Sequence, residues 1–442
     1  MFTIKGKFSE ATVYIDDVDA GCISQIQLML NHPTFTNPVK IMPDTHEGKG
    51  SVIGFTMPMS DSVIPNVVGV DIGCGVHFAE FPMHAIDVFD LLELDARIRE
   101  VVPFGHVVQK DHVHYKTVKD SLFLAANTVA RSFTNAFNTK YATSFKAPLF
   151  DEVYFEKRCK AVEQNINNAK QSICSVGGGN HYLEWGKTAE NRLWFSIHCG
   201  SRHFGLCVAK KHQKIAVECI NGKRGSAYQN EIQRIRSKYS GSQINEKIKE
   251  LRGDLGLNGQ IPKGMEYLSG QEMYNYLMDM VLAQCYADMN RQAILNAVVK
   301  IIKIKPIRVQ QTVHNYINFS DMIVRKGAIS SSEGELVIIP INMEYGSLLC
   351  TGKGNPEWNY SAPHGAGRIL SRRAAKDTLD LEEFKDRMKG IASTSVTAAT
   401  LDEAPGAYKN PKVIIAAIEP TVKIIDRIVP VLNMKDVSES SE

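Results

Sequence analysis

The order of apolar and polar positions along the 442 residues predicts an interleaved set of strands and helices. Up to about residue 80 the apolar runs are short and broken by Gly and Pro, so that TVYID, VIGFTM and NVVGVDIG read as strands and turns. Apolar residues then recur at helical spacing over 86–100, 118–137 and 155–174, and each stretch predicts a helix. RLWFSIH at 192–198 reads as a strand that ends in a polar turn. The stretch from about 205 to 260 is crowded with Lys, Arg, Glu and Gln and reads as an exposed, charged helical excursion, with a basic RNA-contacting arm as the alternative. Residues 270–302 carry the longest amphipathic pattern and predict a core helix. ELVIIPINM, within 335–350, returns to strand character, and the run from Pro411 predicts a helix with Ile414, Ile418, Val422 and Ile425 on one face, followed by a short strand and a frayed polar tail. No regular βαβ alternation emerges, and no linker divides the chain. The expected class is therefore α+β, as one domain over 1–442.

Composition narrows the function classes. Apolar residues make up 44% and charged residues 22%, enough for a large core and against general disorder. The net charge of +3 excludes a chain-wide polybasic coat, so any nucleic-acid contact must be local. No apolar window approaches a membrane span. The nine cysteines form no CxxC pair and fit a reducing, cytoplasmic setting.

Chemistry-bearing residues gather at Gly-rich turns. Asp71 and Cys74 sit among three glycines in GVDIGCG, a turn that lets carboxylate and thiolate point to one place. Asn180, His181 and Glu184 follow three glycines in GGGNHYLEW. His198 ends a predicted strand, and Gly200, Ser201 and Arg202 follow it as a plausible phosphate cradle. His314-Asn315 follows RVQQTV, and Arg325-Lys326 is expected in a turn. His364 precedes Gly365-Ala366-Gly367, with Arg368 and Arg372 four apart on an expected helix. Each has a plainer reading, as a Gly turn, an Asn cap or a solvent-facing Arg. Together, Asp71, Cys74, His181, His198 and His314 suit a transition metal better than calcium or magnesium, and they suffice for two ions if the thiolate bridges. With the surrounding cations, they point to metal-dependent phosphoryl transfer.

Nine stretches in this order resemble the RtcB family of RNA-splicing ligases: MPDTHEGKGSVIG, VVGVDIGCGV, GGGNHYLEW, HCGSRHFG, HNYI, RKGA, HGAGRILSR, LDEAPGAYK and PVLNMK. The resemblance covers nearly the whole chain and implies one compact domain with central β-sheets surrounded by helices. It implies two Mn²⁺ ions, one held by Asp71, Cys74 and His181 and the other by Cys74, His198 and His314. It implies that His364 takes GMP from GTP, with Asp44 orienting the imidazole. Nucleotide contacts would fall to Asn180, Glu184, Asn315, Pro340, Ile341, Asn342, Met343, Ser347, Gly365, Ala366, Gly367, Tyr408 and Lys435, and RNA phosphate contacts to Arg202, Lys326, Arg368 and Arg372. The implied substrates are RNA ends bearing a 3′-phosphate or 2′,3′-cyclic phosphate and a 5′-hydroxyl, in repair or tRNA splicing, with room for an activating protein. The chain departs from the family at Ile341 and Glu344, which stand where glycines are usual, and at Pro363, Cys199 and His203. A metal-dependent cyclic phosphodiesterase or phosphatase without nucleotide transfer, and a non-catalytic RNA-end binder, are the competing readings.

Overall fold

In the computed structural model, residues 1–241, 243–244, 246–247 and 261–438 are described, with side chains left out over 222–231. Two sheets dominate. Seven strands run in the order Arg308–Val313, Gly75–Phe81, Leu193–Cys199, Tyr182–Lys187, Val422–Met434, Gly346–Gly352, Leu336–Asn342. Six run in the order Phe2–Lys5, Glu10–Val13, Val39–Ile41, Phe55–Pro58, Ile323–Lys326, Asn315–Asn318. The strands Gly75–Phe81 and Leu193–Cys199 are buried at every position, which explains why their sequences are mostly apolar and do not alternate. The helix Gly270–Ile302 packs behind them and against the helix Val113–Tyr141. It is buried on nearly all sides, from Met273 to Ile302. Elements of both kinds, from Ala11 to Met434, contribute to one contiguous core. The fold is α+β, with the helix Gly270–Ile302 buried beside the sheets. Among the described residues no helix is long and apolar enough to cross a membrane.

Several elements depart from their expected bounds for identifiable reasons. The expected all-strand N-terminal region contains the helix Ala20–Leu30, capped by Asp19 and buried through Cys22, Ile26, Met29 and Leu30. NVVGVDIG is no strand: Pro65 starts a short helix to Val68, and Gly69 and Gly73 at positive φ turn the chain. The helix expected from 86 begins at Leu91, because the Asp90 side chain accepts from Leu92 and Glu93 and caps it there. The expected helix 155–174 is two, Glu152–Ala161 and Ile166–Gln171, separated by Glu163 at φ 62° and restarted by the Asn165 cap. The charged stretch begins as the helix Arg202–Lys238, whose first half is not exposed: Phe204, Val208, Ala209 and Ala216 enter the core. Much of its second half, including 248–260, lies outside the described residues, as does the end of the tail, 439–442. The C-terminal helix stops at Ile418, before Pro420, and the β-branched run beyond it forms the 13-residue strand Val422–Met434. Ile425 is accordingly an exposed strand residue and not part of a helix face.

Candidate metal centre and active site

Strand pairing brings the distant chemistry-bearing residues together. Cys74 precedes the strand Gly75–Phe81, and His314 follows the strand Arg308–Val313, paired to it with Val313 opposite Gly75. On the other flank Val76 faces His198, and His198 faces Tyr182, the residue after His181. Four antiparallel neighbours thus deliver Cys74, His181, His198 and His314 to one end of the sheet. The turn before Cys74 carries Asp71. Gly200 is required beside it, since a Cβ there would sit 2.1 Å from the Asp71 carboxylate.

Cys74 Sγ lies 3.2 Å from His181 Nε2 and 3.4 Å from His198 Nε2. His198 Nε2 is 3.3 Å from His314 Nε2, and His181 Nε2 is 3.1 Å from Asp71 Oδ2. Two sets result, Asp71–Cys74–His181 and Cys74–His198–His314, each with ligand atoms within 4.8 Å of one another and with Cys74 in both. The donors fit divalent transition metals. His198 Nδ1 donates to the Asn180 carbonyl at 3.0 Å, which leaves the Nε2 lone pair facing the centre, the usual way a carbonyl orients a ligating imidazole. Burial pushes His198 and His314 well below the usual imidazole range, reinforced by His181 for the first and His364 for the second, so both are neutral. Burial and Asp71 push the Cys74 thiol up, a direction that a bound cation reverses. The neutral imidazoles of His198 and His314 and a sulfur at contact distance form a donor set that fits divalent cations.

Beside this centre stands His364. Its ring centroid is 4.8 Å from that of His314. Its Nδ1 lies 2.6 Å from Oδ2 of the fully buried Asp44, and its backbone N–H donates to the same oxygen at 3.1 Å. A carboxylate oxygen accepts, so Nδ1 is the donor in this bond and Nε2 is the ring nitrogen left outside it. The expected helix around Arg368 and Arg372 is absent. The chain leaves the strand Ser361–Pro363 as a loop, turns at Gly367 (φ 73°), and becomes helical only at Arg372.

A cavity of about 310 Å³ opens over His364 and the metal-ligand cluster. Its walls include Asp71, Cys74, His198 and His314 together with Asn180, Glu184, Asn315, the stretch Pro340–Met343, Ser347, the loop 364–368, Arg372, Tyr408 and Lys435. Ile341 lines the cavity while its side chain is buried in the core cluster with Ile339 and Ala366, and Glu344 is not among the lining residues and pairs with Arg387 at 2.5 Å, so the cavity stays open with both large residues in place. Burial pushes the Glu184 carboxyl up to about 8, against the Asn433 amide that donates to it at 2.7 Å and the charge of Lys435.

The four cations expected at RNA phosphates are placed differently from one another. Lys326 is not in a turn. It ends the buried strand Ile323–Lys326, and its ammonium donates to the carbonyls of Lys49 and Ser51, the latter at 2.9 Å. Burial and Lys49 bring it down to about 7. Its partner in the expected turn, Arg325, is fully buried and paired with Asp321 at 2.8 Å. Arg202 is spent on the Gly105 carbonyl at 2.7 Å and Ser175 Oγ at 3.1 Å. Only Arg368 and Arg372 line the cavity, and both are paired to carboxylates.

Those pairings reveal residues to which the sequence reading gave no role. Glu403 accepts from Lys435 Nζ at 2.8 Å, Tyr408 Oη at 2.8 Å, Arg372 at 2.7 Å and Arg368 at 3.3 Å. Burial alone would raise its carboxyl, but Lys435 and Arg372 overcome this and hold it at about 2. The one available signal was a pair of adjacent acids, Asp402 and Glu403, set between Leu401 and Ala404 in LDEAPGAYK. Glu403→Gln should cost about 3–5 kcal/mol, because it leaves buried cations without their shared partner. The sign with pH follows from the depressed value. The stabilisation is present above the unfolded carboxyl range, near ~4.3, and is lost as pH falls through about 2. Thermal melts of wild type and variant should therefore differ at pH 7 and converge in strong acid. Tyr182, Asn433 and His46 also line the cavity and were not singled out.

The comparisons with known proteins bear on this geometry. The family model described as tRNA-splicing ligase RtcB matches residues 25–436. The chain belongs to the RtcB family. It is 29% identical to the RNA-splicing ligase RtcB of Escherichia coli K12, covering 92% of each chain. It is 24% identical to the tRNA-splicing ligase RtcB of Aeropyrum pernix, over 84% of this chain and 82% of that one. The tRNA-splicing ligase RtcB of Nanoarchaeum equitans is 25% identical, with 86% and 83% covered. The matched span includes every residue of the two metal-ligand sets, Asp44, His364 and the cavity walls.

Proposed function

We propose that the chain is a GTP- and Mn²⁺-dependent RNA ligase that joins a 3′-phosphate or 2′,3′-cyclic phosphate end to a 5′-hydroxyl end through a guanylylated histidine. The observation that carries this reading is the Asp44–His364 pair set against His314 at the edge of the shared-thiolate cluster. Family membership and the ligase names of the relatives support it.

Asp71, Cys74 and His181 would hold one ion and Cys74, His198 and His314 the other. When bound, the ions supply Lewis-acid stabilisation of the negative charge that shifts during phosphoryl transfer. The chain's own groups do the rest. His364 Nε2, free of the Asp44 bond, attacks the α-phosphorus of GTP, an N–P bond forms, and pyrophosphate leaves with the electrons of the broken P–O bond. Asp44 holds the Nδ1 proton and stabilises the charge that the ring gains. An oxygen of the RNA 3′-phosphate then attacks the same phosphorus, and His364 leaves with its lone pair restored. The resulting anhydride gives the RNA phosphorus a good leaving group, so the 5′-hydroxyl of the second strand displaces GMP and loses its proton. A cyclic end is first opened by water to the 3′-phosphate. Asn180, Glu184, the stretch Pro340–Met343, Ser347, Tyr408 and Lys435 line the cavity and would contact the nucleotide, and Arg368 and Arg372, which line it too, would meet the RNA phosphates.

The test is an end-joining assay with one RNA ending in a cyclic phosphate and one beginning with a 5′-hydroxyl. Joined product should require both Mn²⁺ and GTP. Opened or trimmed ends without joining, under the same conditions, would favour the phosphodiesterase reading. Salt-sensitive binding that survives chelation, with no change in either RNA, would favour a binder.

A further inference from the structure

Lys409 lies outside the cavity and outside both metal-ligand sets, yet it bonds to both segments that carry the Asp44–His364 pair. Its Nζ donates to the carbonyls of Pro43 and Thr45, both at 2.9 Å. These carbonyls flank Asp44 on either side. Its backbone N–H donates to the Gly367 carbonyl at 3.0 Å, three residues beyond His364. Gly367 in turn lies against the Asp44 backbone so closely that a Cβ there would be 2.3 Å from the Asp44 carbonyl oxygen. One residue therefore fastens the turn that carries the acid to the loop that carries the imidazole. The strand Val39–Ile41 ends just before this turn, and the acid bonds His364 twice through a single oxygen. A small tilt of the turn would break that two-point alignment.

We propose that Lys409 is a positioning residue for His364: its ammonium fixes the Asp44 turn at the height where the carboxylate holds Nδ1 and aims Nε2 into the cavity. The inference rests on the ligase reading above. Lys409 has no contact with the reacting atoms and acts through Asp44. Its effect therefore belongs to the rate of nucleotide transfer and not to nucleotide affinity.

The experiment uses the full chain loaded with Mn²⁺ and labelled GTP, and follows single-turnover labelling of the protein for wild type, Lys409→Met and Lys409→Arg. Methionine keeps the aliphatic volume and removes the donors. A displacement of the order of an ångström is worth up to about 100-fold, so the labelling rate of Lys409→Met at saturating GTP should fall ~10- to 100-fold. Half-saturating GTP should stay within about two-fold, and metal content should be unchanged. Lys409→Arg, which can still donate to both carbonyls, should recover most of the rate. A Lys409→Met protein that labels as fast as wild type overturns the inference alone. So does a loss that appears in half-saturating GTP at unchanged maximal rate, or an equal loss in the arginine variant. If the methionine variant fails to fold, the arginine variant decides: near-normal labelling supports the inference and a collapsed rate in a folded, metal-loaded protein overturns it. A wild type that takes no label overturns the ligase reading and this inference with it.

Discussion

Replacing His364 with alanine is expected to abolish protein labelling by GTP and RNA joining while leaving both metal sites filled. His364 belongs to neither metal-ligand set, and its ring lies tilted against that of His314 at a centroid distance of 4.8 Å, so its loss removes no ligand atom. What it removes is the Nε2 lone pair that Asp44 orients. With no other nucleophile aimed from that position, transfer should fall at least ~1,000-fold, equivalent to about 4 kcal/mol in the barrier. Water-driven opening of a cyclic end does not use this nitrogen and should persist. Metal analysis, single-turnover labelling and an RNA-end assay on one preparation would separate these outcomes. A His364→Ala protein that still joins ends in the presence of GTP would place the covalent step elsewhere.

The second large effect concerns Cys74. Its sulfur is the one atom common to both ligand sets, 3.2 Å from His181 Nε2 and 3.4 Å from His198 Nε2. Cys74→Ala should therefore weaken both ions together, by more than the ~100-fold typical of losing an outer-sphere partner, and labelling should cease at ordinary Mn²⁺ concentrations. His314→Ala offers the contrast: His314 serves only the set with Cys74 and His198, so about one ion per chain should remain. Equilibrium dialysis against Mn²⁺ reads both. Equal, partial metal loss in the two variants would contradict a shared thiolate.

The sequence disclosed the two kinds of information unequally. The long helix Gly270–Ile302 was legible almost to the residue, because 33 residues with no Pro and no Gly after Gly270, carrying apolar residues at helical spacing, admit few alternatives. The terminal strand Val422–Met434 was misread, since Ile414, Ile418, Val422 and Ile425 fall at helical spacing across a break that only Pro420 signals. Cys74, His181, His198 and His314 announced themselves by residue type beside glycines, yet no local pattern says that their strands are neighbours. That follows from the pairing of Gly75–Phe81 with Leu193–Cys199 and Arg308–Val313. Charge was the least legible. Arg202 and Lys326 look like free phosphate ligands in a string of letters, and the fold spends them on the carbonyls of Gly105, Lys49 and Ser51. Glu403 carries no motif of its own; its importance appears only when Arg368, Arg372, Tyr408 and Lys435 converge on it.

The central claim is a covalent nucleotide on one imidazole beside a thiolate-bridged pair of ions. Its most direct test is peptide mass spectrometry of the Mn²⁺-loaded protein after brief incubation with GTP, kept at neutral or alkaline pH to preserve a phosphoramidate. The expected result is a single acid-labile GMP adduct on the peptide containing His364. An adduct on another residue, or a folded, metal-loaded protein with none, would contradict the account.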